Sequence, residues 1–167
     1  MEVSKLPRGS DERRDRMVPL RDKHRRASPI MTYDEWEKSL PEAVTRDVIF
    51  RVQAFRLASF LSDCAERDTR TIGRDPRFAR SVTQLIRAAG SVSATIAEGY
   101  PRRSARDRIR YYEYALGSTA EAKSWYLSAR ALLPPDTLAE RFALLSSITR
   151  LLRTMIRTAE PLPARHK

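Results

Sequence analysis

Apolar side chains recur at steps of three and four positions along most of this chain, which is the spacing that places them on one face of an α-helix. A first run lies over residues 50–64 and ends at Cys64, which we therefore predict to be a small core residue. The most regular run lies over residues 78–96 and consists of Phe78, Val82, Leu85, Ala89, Val92 and Ile96. The pattern predicts long amphipathic helices and no strands.

Helix-capping residues and prolines divide this pattern into four long helices. Asp75 followed by Pro76 suits the start of a helix, and Gly99 suits the end of one. Ser104 with Asp107 three positions later resembles a capping box that starts the next helix. The predicted helices span about residues 42–67, 76–98, 105–133 and 138–159.

These helices predict an all-α protein, with an antiparallel up-down four-helix bundle over residues 39–160 and a C-terminal tail over residues 161–167. Residues 1–38 form a basic N-terminal tail, in which residues 1–28 carry 9 Lys and Arg against 5 Asp and Glu. We expect this tail to be disordered on its own because it has few apolar side chains to bury. An alternative for its last residues is a short helix over residues 33–38, in which Trp36 docks on the bundle.

The last predicted helix is apolar over about half of its circumference, which is wider than one bundle core needs. Beside its core-facing stripe lies a second stripe, which consists of Leu144, Ile148, Leu151 and Met155. A deeply buried helix would explain this width. We favour the alternative that the second stripe faces another subunit, which makes the protein a homo-oligomer.

Composition adds a strong positive charge to this picture. The 167 residues include 32 Lys and Arg against 21 Asp and Glu, which gives a net charge of +11. Such an excess predicts attraction to polyanions, among which nucleic acid is the first candidate. Arginine dominates among the cations, and its planar guanidinium binds phosphate through paired hydrogen bonds.

Two arginine clusters are candidate nucleic-acid contacts. The first follows Gly99 and suits phosphate contacts combined with stacking of an unpaired base; its residues are Arg102, Arg103, Arg106, Arg110 and Tyr114. The alternative for it is a solvated face. The second cluster is Arg150, Arg153 and Arg157 on the polar side of the last helix. By itself it is an ordinary exposed face, but around a ring it would form part of a belt of positive charge.

Catalytic and metal sites find little support in the sequence. Cys64 is the only cysteine, and His24 and His166 have no nucleophile or ligand near them in sequence. Glu98 lies at a helix C-terminus, where the dipole disfavours an anion, so we predict a structural ion pair with Arg102 or Lys123. We expect no enzyme activity, no cofactor, no metal and no membrane association, since no apolar run approaches about 18 residues. The expected location is the cytoplasm.

One stretch of the chain resembles a known family. Residues 86–100 read IRAAGSVSATIAEGY, the sequence Arg102-Arg103-Ser104 follows, and residues 115–121 read ALGSTAE. These segments resemble the four-helix-bundle proteins encoded in intervening sequences of large-subunit ribosomal RNA genes, over about residues 45–160. Accessory variability determinants of diversity-generating retroelements share that architecture. The chain departs from the family pattern at Ser93, where proline is common, and at Lys123, where a second acidic residue is common.

The resemblance implies an antiparallel four-helix bundle that assembles into a ring-like homopentamer, without catalysis. It also implies binding of nucleic acid, RNA or DNA. The expected function is therefore that of a non-enzymatic oligomer that binds structured or ribosomal RNA through its arginine-rich faces. The alternative is a ring-shaped accessory scaffold that binds a protein partner, such as the reverse transcriptase of a diversity-generating retroelement, together with its template RNA.

Overall fold

A computed structural model describes residues 31–159 of the chain. Within this range every regular element is helical, which confirms the all-α prediction. The N-terminal residues 1–30 and the predicted C-terminal tail, residues 161–167, lie outside the described residues. The α-helices are α1 (Tyr33–Ser39), α2 (Glu42–Thr45), α3 (Gln53–Ile72), α4 (Ala79–Gly99), α5 (Ala105–Ser128) and α6 (Pro135–Ala159). Short 3₁₀ turns occur at Val48–Arg51, Pro76–Phe78 and Arg130–Leu132.

The four long helices share one core, because α3 contacts α4, α4 contacts α5, α5 contacts α6, and α6 contacts α3. Gly73 lies beside Val82, and Gly90 lies beside Ser62. Late residues of one helix therefore meet early residues of the next, so α3 and α4 run antiparallel. The largest fully buried side chains of the core are Tyr126, Leu61, Ile72, Leu85, Ile96, Leu145, Ile148 and Leu152.

The chain before α3 differs from the predicted single helix over about residues 42–67. Helix α2 has only four residues. The side chain of Asp47 then accepts a hydrogen bond from the backbone N–H of Ile49 at 3.0 Å, which starts a 3₁₀ turn. Val52 is extended, with φ −82° and ψ 108°, so the helix has to begin again at Gln53. The prediction of one continuous helix here was wrong, because local capping by Asp47 competes with the helix.

Helix α1 belongs to the packed body, which moves the predicted boundary of the N-terminal tail. Trp36 is only 3% exposed, and its indole N–H donates a hydrogen bond to Oδ2 of Asp63 at 2.6 Å. Its ring lies 5.4 Å from the ring of Phe60 and 6.5 Å from that of Phe50. These three aromatic side chains form, with Cys64, a second buried cluster on the outer side of α3. The short helix with a docked Trp36 is therefore what the structure shows.

Burial of Cys64 agrees with its predicted place in the core. The thiol is 1% exposed, and this burial raises its pKa to about 11. A thiol with so high a pKa is almost entirely protonated near neutral pH, and only the thiolate is a good nucleophile. Cys64 is therefore a packing residue.

The second apolar stripe of α6 is largely covered within the chain. Ile148 is fully buried in the main core, and Leu151 and Met155 pack against it. Leu144 contacts both the core and the aromatic cluster of Trp36. The expectation that Ile148 faces another subunit is thus corrected, because the core of this chain buries Ile148 and the aromatic cluster packs against Leu144.

A buried ion pair joins α3 to α6. Nε of Arg141 donates to Oδ2 of Asp68 at 2.8 Å, and the hydroxyl of Tyr126 on α5 donates to the same oxygen at 2.8 Å. Burial is the largest single effect and would lower the pKa of Arg141. The hydrogen bond to Asp68 and the charges of neighbouring groups together outweigh it, so this pKa lies above its ordinary value. Burial, together with the nearby Asp68 carboxylate, raises the pKa of Tyr126. Three helices therefore meet at one charged hydrogen-bonded group.

Helices α4 and α5 lie in close contact at Gly99. A Cβ atom at this position would lie 2.7 Å from Cβ of Tyr111 and 3.1 Å from the ring of Tyr112. Further along, Arg87 meets Glu121 at 3.4 Å, so these two helices also run antiparallel. Gly117, in the middle of α5, has nothing within 4 Å of such a Cβ atom. The two glycines therefore serve different purposes, and only Gly99 is required by space.

Replacing the buried arginine should expose the cost of an unpaired charge. We expect Arg141→Met to lower the free energy of unfolding by about 3–5 kcal/mol, because Asp68 stays buried without its cation. The control replaces the whole group with Asp68→Leu, Tyr126→Phe and Arg141→Met together, and should be less destabilised than the single variant. Urea denaturation measures both. A loss below about 1 kcal/mol for Arg141→Met would contradict this account.

The two glycines provide a matched pair of substitutions. Gly99→Ala should destabilise the protein by about 1–3 kcal/mol, because its methyl group overlaps the fixed backbone-proximal atoms of Tyr111. Gly117→Ala should stabilise it by roughly 0.5–1 kcal/mol, since alanine is the better helix former in open space. Thermal and urea unfolding of both variants checks the signs. Equal effects of the two changes would show that no close approach exists at Gly99.

Candidate nucleic-acid interface

The turn between α4 and α5 is braced by Arg102. Its Nε donates to the backbone carbonyl of Glu98 at 3.2 Å, and a terminal nitrogen donates to the hydroxyl of Tyr111 at 3.2 Å. The guanidinium also lies 5.0 Å from the centre of the Tyr111 ring. The predicted ion pair of the Glu98 carboxylate with Arg102 is absent among the described residues; Arg102 reaches the backbone of Glu98 instead. Arg102 therefore holds the turn against α5.

Arg108 is a second arginine with a structural role in this turn. One of its terminal nitrogens donates to the carbonyls of Arg102 and Arg103, each at 3.0 Å. These carbonyls lie in the turn between two helices and have a charged donor in common. Of the five arginines between residues 102 and 110, Arg102 and Arg108 therefore bind backbone carbonyls, and the other three do not.

The three remaining arginines of this segment are exposed. Arg103 and Arg106 make no ion pair among the described residues. Arg110 lies 3.7 Å from Asp107, but both side chains are about half exposed, at 56% and 46%. Such a solvent-exposed pair contributes little, so Arg110 is free to exchange its partner for a phosphate. We name Arg103, Arg106 and Arg110 the turn arginines.

Tyr114 lies beside the turn arginines and is 55% exposed. Its ring meets that of Tyr111 edge to face, with centroids 6.1 Å apart and an angle of 80° between the planes. Tyr111 in turn is held by Arg102 and lies 5.7 Å from the guanidinium of Arg110. Tyr111 was not among the predicted site residues. It lies three positions before Tyr114, however, and this spacing places both rings on one side of α5. A ring fixed in this way can stack on a base.

The second arginine cluster lines a groove between α5 and α6. This open groove has a volume of about 710 Å³. Its cations are Lys123 from α5 and Arg150, Arg153 and Arg157 from α6, and its other lining side chains are Ser146, Thr149 and Thr154. No carboxylate lines it. Lys123 was not among the predicted nucleic-acid contacts, but the structure brings it together with the three arginines. We name these four side chains the groove cations.

The described part of the chain offers few other kinds of site. No group of three or more His, Cys, Asp or Glu side chains within residues 31–159 is arranged to hold a metal ion. In the same range no helix is both long enough and apolar enough to span a membrane.

The fold and its surface define an all-α protein with two exposed basic regions on its long helices. Residues 68–154 match the 23S rRNA-intervening sequence protein family. This match covers more than half of the chain, from the end of α3 to the last turns of α6, and the chain belongs to this family. No curated protein matches the sequence.

Proposed function

We propose that this protein is a non-enzymatic RNA-binding protein that contacts ribosomal or other structured RNA through its arginine-rich faces. The observation that carries the proposal is the braced α4–α5 turn, which presents the turn arginines to solvent beside an exposed, ring-supported Tyr114. Arginine pairs with phosphate through two parallel hydrogen bonds, and a tyrosine face stacks on an unpaired base. The name of the family supports a role connected with 23S rRNA.

We also propose that the four long helices form an up-down bundle that assembles as a ring-like homo-oligomer, with five subunits as the resemblance implies. The contacts of α3, α4, α5 and α6 around one core support the bundle. Among the described residues, apolar side chains that stay available to a second subunit include the exposed Leu127 and Ile86 and the half-buried Leu151 and Met155. Ile148 is excluded from this set by its burial.

The oligomer has a direct test. Light scattering of the purified protein at micromolar concentration should give about five times the mass of the chain, as the family resemblance implies. A concentration series at moderate salt separates specific assembly from charge-driven association, which is screened by salt. A stable monomer across this series would contradict the assembly without affecting the RNA proposal, since both arginine regions belong to a single chain.

The turn arginines carry the main prediction for RNA. Changing Arg103, Arg106 and Arg110 together to Gln should weaken binding to structured RNA broadly across sequences, because phosphates carry no sequence information. The slope of log affinity against log salt should flatten by up to about one unit per lost contact. Fluorescence anisotropy at several salt concentrations measures both. The fold should survive, since all three side chains are exposed.

A matched control removes the same charge elsewhere. Arg70, Arg74 and Arg80 are exposed near the α3–α4 turn, at the other end of α4. Their change to Gln should lower RNA affinity much less than the change of the turn arginines. Equal losses would mean that net charge alone attracts RNA. Unchanged RNA binding in the turn variant, with loss of a protein partner, would support the accessory-scaffold alternative.

Stacking on Tyr114 is tested separately. Tyr114→Ala should weaken binding by roughly 1–3 kcal/mol if a base lies on the ring, with little change in the salt slope. Tyr114→Phe should retain most of the affinity, because stacking needs the ring and not the hydroxyl.

A further inference from the structure

The C-terminal end of the groove and the α5 residues near the turn arginines lie at the same level along the helix axes. Nζ of Lys123 lies 5.5 Å from the centre of the Phe142 ring, which relates the positions of the two helices. Because α6 returns alongside α5 after a short connection, later residues of α6 meet earlier residues of α5. Arg157 follows Phe142 by the same number of positions by which Arg108 precedes Lys123, about 22 Å of helix in each case. The C-terminal end of the groove is thus level with the α5 residues around Arg108.

Ile109 links the turn arginines to the groove along α5. Ile109 and Lys123 are fourteen positions apart, close to four full turns, so they project in nearly the same direction. Ile109 lies in a shallow depression that also includes Arg106 and Arg110. This depression therefore meets the flank between α5 and α6 at Ile109 and extends from there around α5 to Arg106 and Arg110.

The charge on this flank is strongly one-sided. The groove and the depression together contain six cations and the two carboxylates Asp107 and Glu113. Both carboxylates lie in the depression, and residues 141–159 of α6 contain no acidic residue at all. The groove cations make no ion pair among the described residues.

The hydroxyl groups that line the groove donate to the helix backbone, so only the cations are available to bind an anion. Ser146 donates to the carbonyl of Phe142 at 2.7 Å, and Thr149 donates to that of Leu145 at 2.8 Å. Thr154 donates to the carbonyl of Arg150 at 3.1 Å. Each hydroxyl has one proton to donate, and all three protons are bonded to the helix backbone. The side chains between the cations are therefore small and uncharged, so an RNA backbone can lie close to the four cations.

We propose that the α5–α6 flank is one continuous path for the sugar–phosphate backbone of a single RNA strand, from Lys123 past Arg157 to Arg106. The path is about 25 Å long, from the rise per residue of α5. A positively charged groove that follows the backbone is the usual design of single-strand binding surfaces. This inference rests on the proposed RNA-binding function and assigns its ligand, an unpaired strand that spans both basic regions of one chain.

The experiment uses unstructured single-stranded RNA of increasing length, from about 4 to about 16 nucleotides. The groove variant carries Arg150→Gln, Arg153→Gln and Arg157→Gln, and the control carries the three changes at Arg70, Arg74 and Arg80. Affinity of the parent protein should rise with length until the strand spans the path and then level off. The groove variant should level off at a shorter length. With the longest strand its salt slope should be smaller by about two, since each single-strand phosphate contact contributes roughly 0.7.

The outcomes separate this inference from the proposed function. If the groove variant behaves like the control at every length while the turn variant loses affinity, the path is wrong and RNA binding at the turn stands. If the parent protein binds no RNA of any length or structure, the proposed function itself fails. If inorganic tripolyphosphate binds the groove stoichiometrically and more tightly than the longest strand, the groove is a site for small anions, which also overturns the path. Circular dichroism and thermal melting verify that each variant is folded. The single variant Arg153→Glu repeats the test of the groove with one change at an exposed position.

Discussion

The closeness of α4 and α5 at Gly99 is the constraint on which the arrangement of the basic surface depends. Without a side chain at Gly99, the backbone of α4 lies directly against Tyr111 and Tyr112. The chain then has only a short turn in which to reverse, and this turn carries Arg102 back over the ring of Tyr111. A wider spacing of the two helices would separate the guanidinium from the hydroxyl and the ring of Tyr111. The exposed arginines and Tyr114 would then no longer be held on a rigid support.

The other end of α5 is fixed by a different interaction. Tyr126 and Arg141 both donate to Asp68, so α3, α5 and α6 are aligned at one buried carboxylate. A buried ion pair is weak evidence for net stability, because desolvation offsets much of its attraction. Its directional hydrogen bonds favour a single alignment of the three helices, however. Because α5 is fixed near both ends, its position along the helix axis and its rotation relative to α6 are defined. A groove that continues along both helices requires this.

Sequence patterns predicted what depends on local spacing. The three- and four-residue steps identified the four long helices, and the capping pair of Ser104 with Asp107 located the start of α5 at its observed residue. The patterns failed where a distant partner decides the structure. Asp68 follows the predicted end of the first helix, and its place in the core depends on Arg141, 73 positions away. In the same way Trp36 is bound to Asp63, 27 positions away, and Leu144 of α6 packs against the aromatic cluster that contains Trp36.

The candidate site shows the same division between local and distant information. Composition and clustering located the basic segments, but they treat all arginines alike. The structure separates Arg141, which is buried with Asp68, and Arg102 and Arg108, which bind the turn, from the arginines that extend into solvent. It also adds Lys123, which was not among the predicted contacts, to the groove of Arg150 and Arg153. A cation held by a buried carboxylate is neutralised at short range, and one bonded to backbone carbonyls is fixed in position. Only the exposed cations can replace water with a phosphate at little cost, so the number of arginines in contact with an RNA strand is smaller than the net charge suggests.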